Sequence, residues 1–172
     1  QYHIVLDDDL KIRKRNGLGS VDIKNLSKED VIVFFDHVVS LLSQFAHGGI
    51  ANEGLHPKPT RLYFNERVGG IHFYNSRILK ECGIQYTKCP EYEDMHATLS
   101  LIKCGYPNVV SHFYAFKQKS NSVGGCSKYR TLKSQNDNAS KFKEMHTNEV
   151  LLQKPKFSVV WKGMKVGVTV YW

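Results

Sequence analysis

Alternating apolar and polar residues at the end of the sequence constrain its fold most. Residues 157–172 read FSVVWKGMKVGVTVYW, and β-branched or aromatic side chains recur at every second position on both sides of Lys162-Gly163. Period-two alternation of such residues, interrupted by a pair that ends in glycine, predicts a β-hairpin with one apolar face. We expect this hairpin to be part of a sheet or to offer an edge to a partner.

A long amphipathic helix is predicted over residues 28–46. Ser27 is a suitable N-cap, Asp30 occupies the third helical position, and Gly48-Gly49 is expected to end the run. Between them, apolar residues recur at helical spacing: Val31, Phe34, Phe35, Val38, Leu41, Leu42 and Phe45. The 172 residues are therefore predicted to form a single α+β domain. In it, the helix packs on a mostly antiparallel sheet that includes the C-terminal hairpin.

Shorter patterns predict the remaining elements. Strands are expected over residues 2–6, 10–13, 61–65, 70–74 and 109–116, and two further helices are expected to begin at Ser76 and Pro90. Residues 47–60 are predicted to be a loop. Residues 117–148 are rich in Ser, Asn, Gly, Gln and Lys, and this composition predicts a mobile polar loop on the surface.

The charge of the chain indicates a polyanionic partner, either nucleic acid or an acidic membrane surface. The formal net charge is +8, and the densest basic cluster lies on the second predicted strand: Lys11, Arg13, Lys14 and Arg15. These side chains could contact phosphates without reading a base sequence. The alternative interpretation is a solvated strand face.

No metal or cofactor is expected. The cysteines Cys82, Cys89, Cys104 and Cys126 include no C-x-x-C pair, so they are interpreted as reduced, partly buried thiols. Asp7-Asp8-Asp9 could contribute oxygen ligands to a divalent cation, but no further carboxylate can be assigned to such a site. An acidic turn is the preferred interpretation.

Two H-F-Y triplets raise an enzymatic alternative. His72-Phe73-Tyr74 and His112-Phe113-Tyr114 both lie on predicted strands, where a pair of histidines could act as general acid and base on a phosphodiester. This arrangement resembles the two-histidine phosphoesterases, although Tyr74 and Tyr114 stand where that pattern has Ser or Thr. The other interpretation is ordinary aromatic residues of half-buried strands.

The C-terminal stretch WKGMKVGVTVY, residues 161–171, resembles a strand-turn-strand of the rhabdovirus matrix proteins, and Cys89-Pro90-Glu91-Tyr92 is similar to another stretch of them. The resemblance implies a non-enzymatic structural protein that condenses the viral ribonucleoprotein, lines the inner surface of the envelope and self-associates. Its partners would then be further copies of itself, the viral nucleocapsid or RNA, and an anionic membrane surface. Its location would be the host-cell cytoplasm or nucleus, and the virion. The alternative function is non-specific binding of RNA or DNA.

Self-association is predicted to involve the polar loop or the last strand. The residues chosen for this role are Ser120, Ser122, Lys128, Arg130, Tyr171 and Trp172. The loop is too polar for a core and long for a connector, and aromatic residues such as the last two are enriched at interfaces. The alternative is a disordered loop and a hairpin fully paired within its own sheet.

Overall fold

The computed structural model describes residues 1–7, 10–16, 22–54, 59–118 and 130–172. Its contacts divide the chain into two compact units: Gln1–Ile84 with Ser100–Ser120, and Gln85–Leu99 with Asn121–Trp172. Helices and strands occur in both units, and most strand pairs are antiparallel. The predicted α+β class is confirmed.

A seven-stranded sheet forms the centre of the first unit. Its strands are β1 (Tyr2–Leu6), β2 (Leu10–Asn16), β3 (Asp22–Asn25), β4 (His47–Asn52), β5 (Leu62–Phe64), β6 (Ile71–Asn75) and β7 (Val109–Gln118). They follow the order β1-β6-β4-β7-β2-β3, and β5 also pairs with β7. Only the pairing of β4 with β7 is parallel. The strands predicted in this region are confirmed, but β1 and β2 pair with β6 and β7 rather than with each other.

Helix α1 (Lys28–Leu42) packs on this sheet. Its start is as predicted, because Ser27 and Asp30 form a reciprocal capping box. Its buried side chains are Phe34, Val38, Leu41 and Leu42, and they join a core with Ile50, Ile71, Phe73 and Val109 of the strands. The helix ends at Leu42, so the predicted end at residue 46 is wrong.

The pair Gly48-Gly49, predicted to stop the helix, lies instead in the buried strand β4. A Cβ atom at Gly48 would lie 2.1 Å from the carbonyl oxygen of Val109, and one at Gly49 would lie 2.0 Å from Cγ1 of Val68. Other segments of the same chain therefore approach β4 more closely than a side chain at either glycine would allow. The prediction of a loop over residues 47–60 is therefore wrong for residues 47–52, which form β4.

Three further α-helices lie in the described residues: α2 (Ser76–Glu81), α3 (Glu93–Lys103) and α4 (Leu132–Met145); a short 3-10 helix spans Tyr86–Lys88. The first two correspond to the predicted helices, but Asn75 rather than Ser76 caps α2, and α3 begins at Glu93 rather than at Pro90. No helix in the part of the chain that the structure describes is both long and apolar enough to cross a bilayer.

Helix α4 lies within the segment predicted to be a polar loop, so that prediction is wrong for residues 132–145. Thr131 and Ser134 form a capping box at its start, and Ala139 and Phe142 provide a narrow buried face. They belong to the core of the second unit, formed by Cys89, Tyr92, Met95, Leu99, Ala139, Phe142 and Val150. Few apolar residues are needed for such a face, which explains why composition did not reveal the helix. Residues 119–129 of the predicted loop lie outside the described residues.

The C-terminal segment forms two small antiparallel sheets rather than one hairpin within the large sheet. Strand β9 (Lys156–Ser158) pairs with β10 (Gly163–Lys165), and β8 (Val150–Leu152) pairs with β11 (Val168–Val170). A turn over residues 159–162 joins β9 to β10, and Lys162 has a positive φ of 49°. The predicted strands are therefore present, but the long second strand is interrupted at Val166-Gly167.

Candidate functional site

The four basic residues of β2 are divided between the two faces of the sheet, because successive side chains of a strand alternate. Lys14 Nζ lies 3.5 Å from Oδ1 of Asp30 on α1, and Arg13 Nη1 donates to Glu53 Oε1 over 3.1 Å. Lys11 is exposed. The predicted polyanion-binding cluster is thus separated, and two of its members are paired with carboxylates.

Arg15, the fourth member, belongs to a buried network. Its side chain is only 5% exposed, and its Nη1 lies 3.1 Å from Nδ1 of His112. A guanidinium can only donate, so Nδ1 accepts and the imidazole proton is on Nε2, which lies 3.7 Å from Oε2 of Glu66. The ring of Tyr63 lies against that of His112, with 4.4 Å between centroids. Arg15 therefore lies in the interior of the first unit and offers little charge to a partner.

The two histidines of the enzymatic alternative, His72 and His112, lie on β6 and β7, and β4 runs between those strands. The Nδ1 atom of His72 lies 3.4 Å from the hydroxyl of Tyr74. Both imidazoles are buried, as are Tyr74 and Tyr114, which occupy the positions of the small hydroxyl residues. A phosphodiester from solution does not reach these rings in this arrangement. The structure therefore lends no support to the phosphoesterase hypothesis.

The residues predicted to mediate self-association have different surroundings. Ser120, Ser122 and Lys128 lie outside the described residues, and Arg130 is half-buried just before α4. The side chain of Tyr171 is 58% exposed, whereas that of Trp172 packs against the core of the second unit. Tyr171 is thus the aromatic residue of this pair that a partner could contact.

Among the described residues, no three His, Cys, Asp or Glu side chains form a group that could hold a metal ion. Asp8 and Asp9 of the acidic turn lie outside those residues, so the cation-binding alternative for that turn concerns a part of the chain that is not described.

The three most exposed large apolar side chains of the described residues lie on the β9–β10 hairpin. Val159 and Val160, on the turn, are 82% and 79% exposed, and Phe157 and Met164, on the strands, are 65% and 53% exposed. Phe157 and Met164 are cross-strand partners, so their side chains project from the same face of the hairpin. Contiguous apolar exposure of this kind is uncommon on a soluble surface and indicates contact with a partner or a lipid phase.

Lysine is the only charged residue type in the sequence segment that contains this apolar tip. The segment Val150–Trp172 contains no Asp or Glu, and its four lysines are Lys154, Lys156, Lys162 and Lys165. Lys156 and Lys165 are direct cross-strand partners, and the Lys165 ammonium lies 4.8 Å from the ring centroid of Trp161. The hairpin thus combines an apolar tip with a local positive charge.

Helix α4 holds the base of this hairpin. Nδ2 of Asn136 donates to the carbonyl oxygen of Met164 over 3.0 Å, and Oδ1 of the same amide accepts from the backbone N–H of Val166 over 2.9 Å. Leu132 contacts Gly163 closely enough that a Cβ there would lie 2.3 Å from its Cδ2. The strands are therefore anchored on a helix, whereas the apolar turn projects from it.

The sequence predicted strands in this segment but not an exposed apolar tip. The alternation placed Val159 and Trp161 on one strand, whereas the turn takes up residues 159–162. The absence of acidic residues from Val150 to Trp172 is the sequence signal for the local positive charge of this segment.

Comparisons with protein-family models, with curated proteins and with solved structures find no match to this chain. Its function therefore has to be inferred from the surface just described.

Proposed function

We propose that this protein is a matrix-type structural protein that binds an anionic membrane surface through the tip of the β9–β10 hairpin. The observation that carries the proposal is the exposure of Phe157, Val159, Val160 and Met164 in a segment whose charged residues are all lysines. Apolar side chains flanked by Lys are typical of surfaces that enter the boundary between lipid headgroups and acyl chains.

Both the apolar side chains and the lysines contribute favourably to the free energy of such a contact. Full burial of one valine-sized side chain contributes about 1.5–3 kcal/mol, and each Lys near an anionic leaflet adds about 1 kcal/mol. The turn carries Val159 and Val160 side by side, and Lys162 follows them. An apolar contribution and an electrostatic contribution thus act at the same point of the chain.

Self-association and contact with a ribonucleoprotein complete the proposed role, in line with the resemblance to rhabdovirus matrix proteins. Tyr171 is exposed for contact with another copy, and Lys11 and Lys14 are the exposed basic residues of β2. In this proposal the protein is not an enzyme, and it acts at the inner surface of a viral envelope and in the host cell.

Flotation with lipid vesicles tests the membrane proposal. We expect the protein to float with vesicles that contain phosphatidylserine and to remain in solution with neutral phosphatidylcholine vesicles. The double variant Val159→Ser, Val160→Ser should bind the anionic vesicles about 30-fold more weakly, which corresponds to about 2 kcal/mol.

The matched control is Val31→Ser, Val39→Ser, which removes two exposed valines from α1. This variant should float as the wild type does. Equal loss of binding in both double variants, or no binding by the wild type, would overturn the proposal.

Non-specific nucleic-acid binding is the second candidate, and one observation favours it. A pocket of about 250 Å³ is lined by Lys14, His37, Phe113 and Tyr114, among others, and the Phe113 ring is partly exposed. Basic and aromatic side chains side by side can hold the phosphate and the base of a single strand. Titration of single-stranded RNA should then show weaker binding by Phe113→Ala and Lys14→Gln, and unchanged binding by Val159→Ser, Val160→Ser.

A further inference from the structure

A cleft beside the hairpin tip has the properties of an anion site. Its volume is about 320 Å³, and Lys154, Lys156 and Lys165 line it together with Gln153 and Gly167. Small-molecule sites in proteins usually measure roughly 300–1,000 Å³, so the cleft is large enough for a small polar group. We propose that it binds the phosphate monoester of a phosphorylated inositol lipid headgroup; this inference rests on the proposed membrane function.

The positive charges around the cleft repel one another unless an anion is present. Lys156 and Lys165 face each other directly across the β9–β10 pair, an arrangement in which like charges destabilise a hairpin. Lys154 adds a third positive charge to the same cleft. Within the described ranges, no carboxylate forms an ion pair with any of the three. A bound anion would remove this repulsion.

The wall of the cleft is formed by residues with fixed positions. Nε2 of Gln153 donates to Oγ1 of Thr169 over 3.0 Å and to the carbonyl oxygen of Val168 over 3.3 Å. A Cβ at Gly167 would lie 2.5 Å from Oε1 of Gln153, so a side chain at position 167 would displace the amide from this position. That amide is already hydrogen-bonded to β11. The charged groups that line the cleft, and that can contact a ligand, are the three lysines.

Charge and position select the ligand class. Three lysines match a phosphate monoester, which carries about −1.5 to −2 near neutral pH, better than the single charge of a phosphodiester. Phe157 lines the cleft and is also one of the exposed apolar residues of the tip. A headgroup in the cleft would thus lie next to side chains that contact the lipid phase, which favours a membrane lipid over a free phosphate.

Binding to two vesicle preparations of equal surface charge tests the inference. One contains phosphatidylserine and the other contains phosphatidylinositol monophosphate. We expect the wild type to bind the phosphoinositide vesicles about tenfold more tightly, the gain that one charge-assisted hydrogen bond provides. The variant Lys156→Gln, Lys165→Gln should lose this preference. The control Lys133→Gln, Lys141→Gln removes the same charge from exposed lysines of α4 outside the cleft and should keep the preference.

The other outcomes distinguish failure of the cleft proposal from failure of the membrane function. Equal wild-type binding to both preparations would overturn the cleft proposal, while the membrane function would stand. Binding to neither would overturn both. A soluble inositol phosphate, titrated into the isotope-labelled protein, should shift the amide signals of Gln153 and Lys165 only at concentrations far above those needed for vesicles. Binding of the soluble compound as tight as that of the vesicles, lost in Lys156→Gln, Lys165→Gln, would contradict the choice of a lipid.

Discussion

Nδ1 of His96 and Nε2 of His146 share a hydrogen bond of 2.9 Å, and both rings are buried in the second unit. One ring must donate and the other must accept, so the bond requires a lone pair and is lost if both rings become protonated. Burial lowers the pKa of His96, and the positive charge of Lys88 lowers it further.

We expect the protein to lose stability as the pH falls below about 6.5, the ordinary pKa of histidine. The lowered pKa of His96 keeps the folded state less protonated than the unfolded state below that pH, so acid favours unfolding. Above it, His96 should add no pH dependence. Urea unfolding at a series of pH values measures this, and His96→Gln should show a shallower dependence. Stability that rises on acidification from pH 7 would contradict the prediction.

His47 allows the same experiment in the first unit, where the pH interval of the effect can be stated. Burial lowers its pKa to about 4, even though its Nε2 hydrogen-bonds to the carbonyl oxygen of Tyr106. Its contribution is complete above pH 6.5 and is lost as the pH falls toward 4, which amounts to about 3 kcal/mol over the whole interval. In His47→Gln this part of the acid sensitivity should disappear. An unchanged slope between pH 6.5 and 4 would show that another group is responsible.

Replacing Asn136 by Ala should loosen the β9–β10 hairpin from α4. The change leaves the N–H of Val166 and the carbonyl of Met164 without their partner, at a cost of about 2 kcal/mol. Amide hydrogen exchange should accelerate in the hairpin more than in α1. Ser140→Ala, at an exposed position of the same helix, is the control and should change neither quantity.

Substitution of Gly48 by Ala should destabilise the sheet by about 3 kcal/mol. The new Cβ would lie 2.1 Å from a backbone oxygen of β7, which cannot move without the strand. Gly69→Ala is the control, because a Cβ there meets no atom within 4 Å. The two variants are compared by urea unfolding, and equal midpoints would show that β4 and β7 are less closely packed than described.

Higher oligomers are expected in sedimentation at low salt, and Tyr171→Ser should reduce them. Tyr171 is exposed after β11, where it could contact another copy, whereas the change leaves the partly buried Trp172 in place. Tyr2→Ser removes a comparably exposed tyrosine from the first unit and should sediment as the wild type does. A wild-type chain that stays monomeric at high concentration, with or without RNA, would remove self-association from the proposed function.

Local signals in the sequence predicted the parts of the fold that local interactions determine. The start of α1 could be predicted because a capping box involves only Ser27 and Asp30. Its end could not, because Gly48 closely approaches Val109 and Gly49 closely approaches Val68, and both partners lie outside the local sequence. Helix α4 was missed because its stability depends on a narrow buried face within the second core, which composition does not show.

The candidate site could be predicted only in part. Alternation indicated the strands that carry it, but whether Phe157 and Met164 face a core or solvent depends on what packs against them. For the basic cluster at Lys11–Arg15, the sequence predicted a single binding surface that the folded chain does not form. Charge density in the sequence does not reveal that Arg15 is buried with His112, or that Arg13 is paired with Glu53.

The parallel pairing of β4 with β7 determines the order in which the chain can fold. Strand β4 lies between β6 and β7, and β2, near the beginning of the sequence, also pairs with β7. Until Val109–Gln118 has left the ribosome, one edge of β4 and one edge of β2 have no partner in this sheet. Contacts of such high contact order form slowly, and unpaired strand edges recruit other chains in the meantime. We therefore expect a lower expression level, which keeps fewer incomplete chains in contact with one another, to increase the soluble yield.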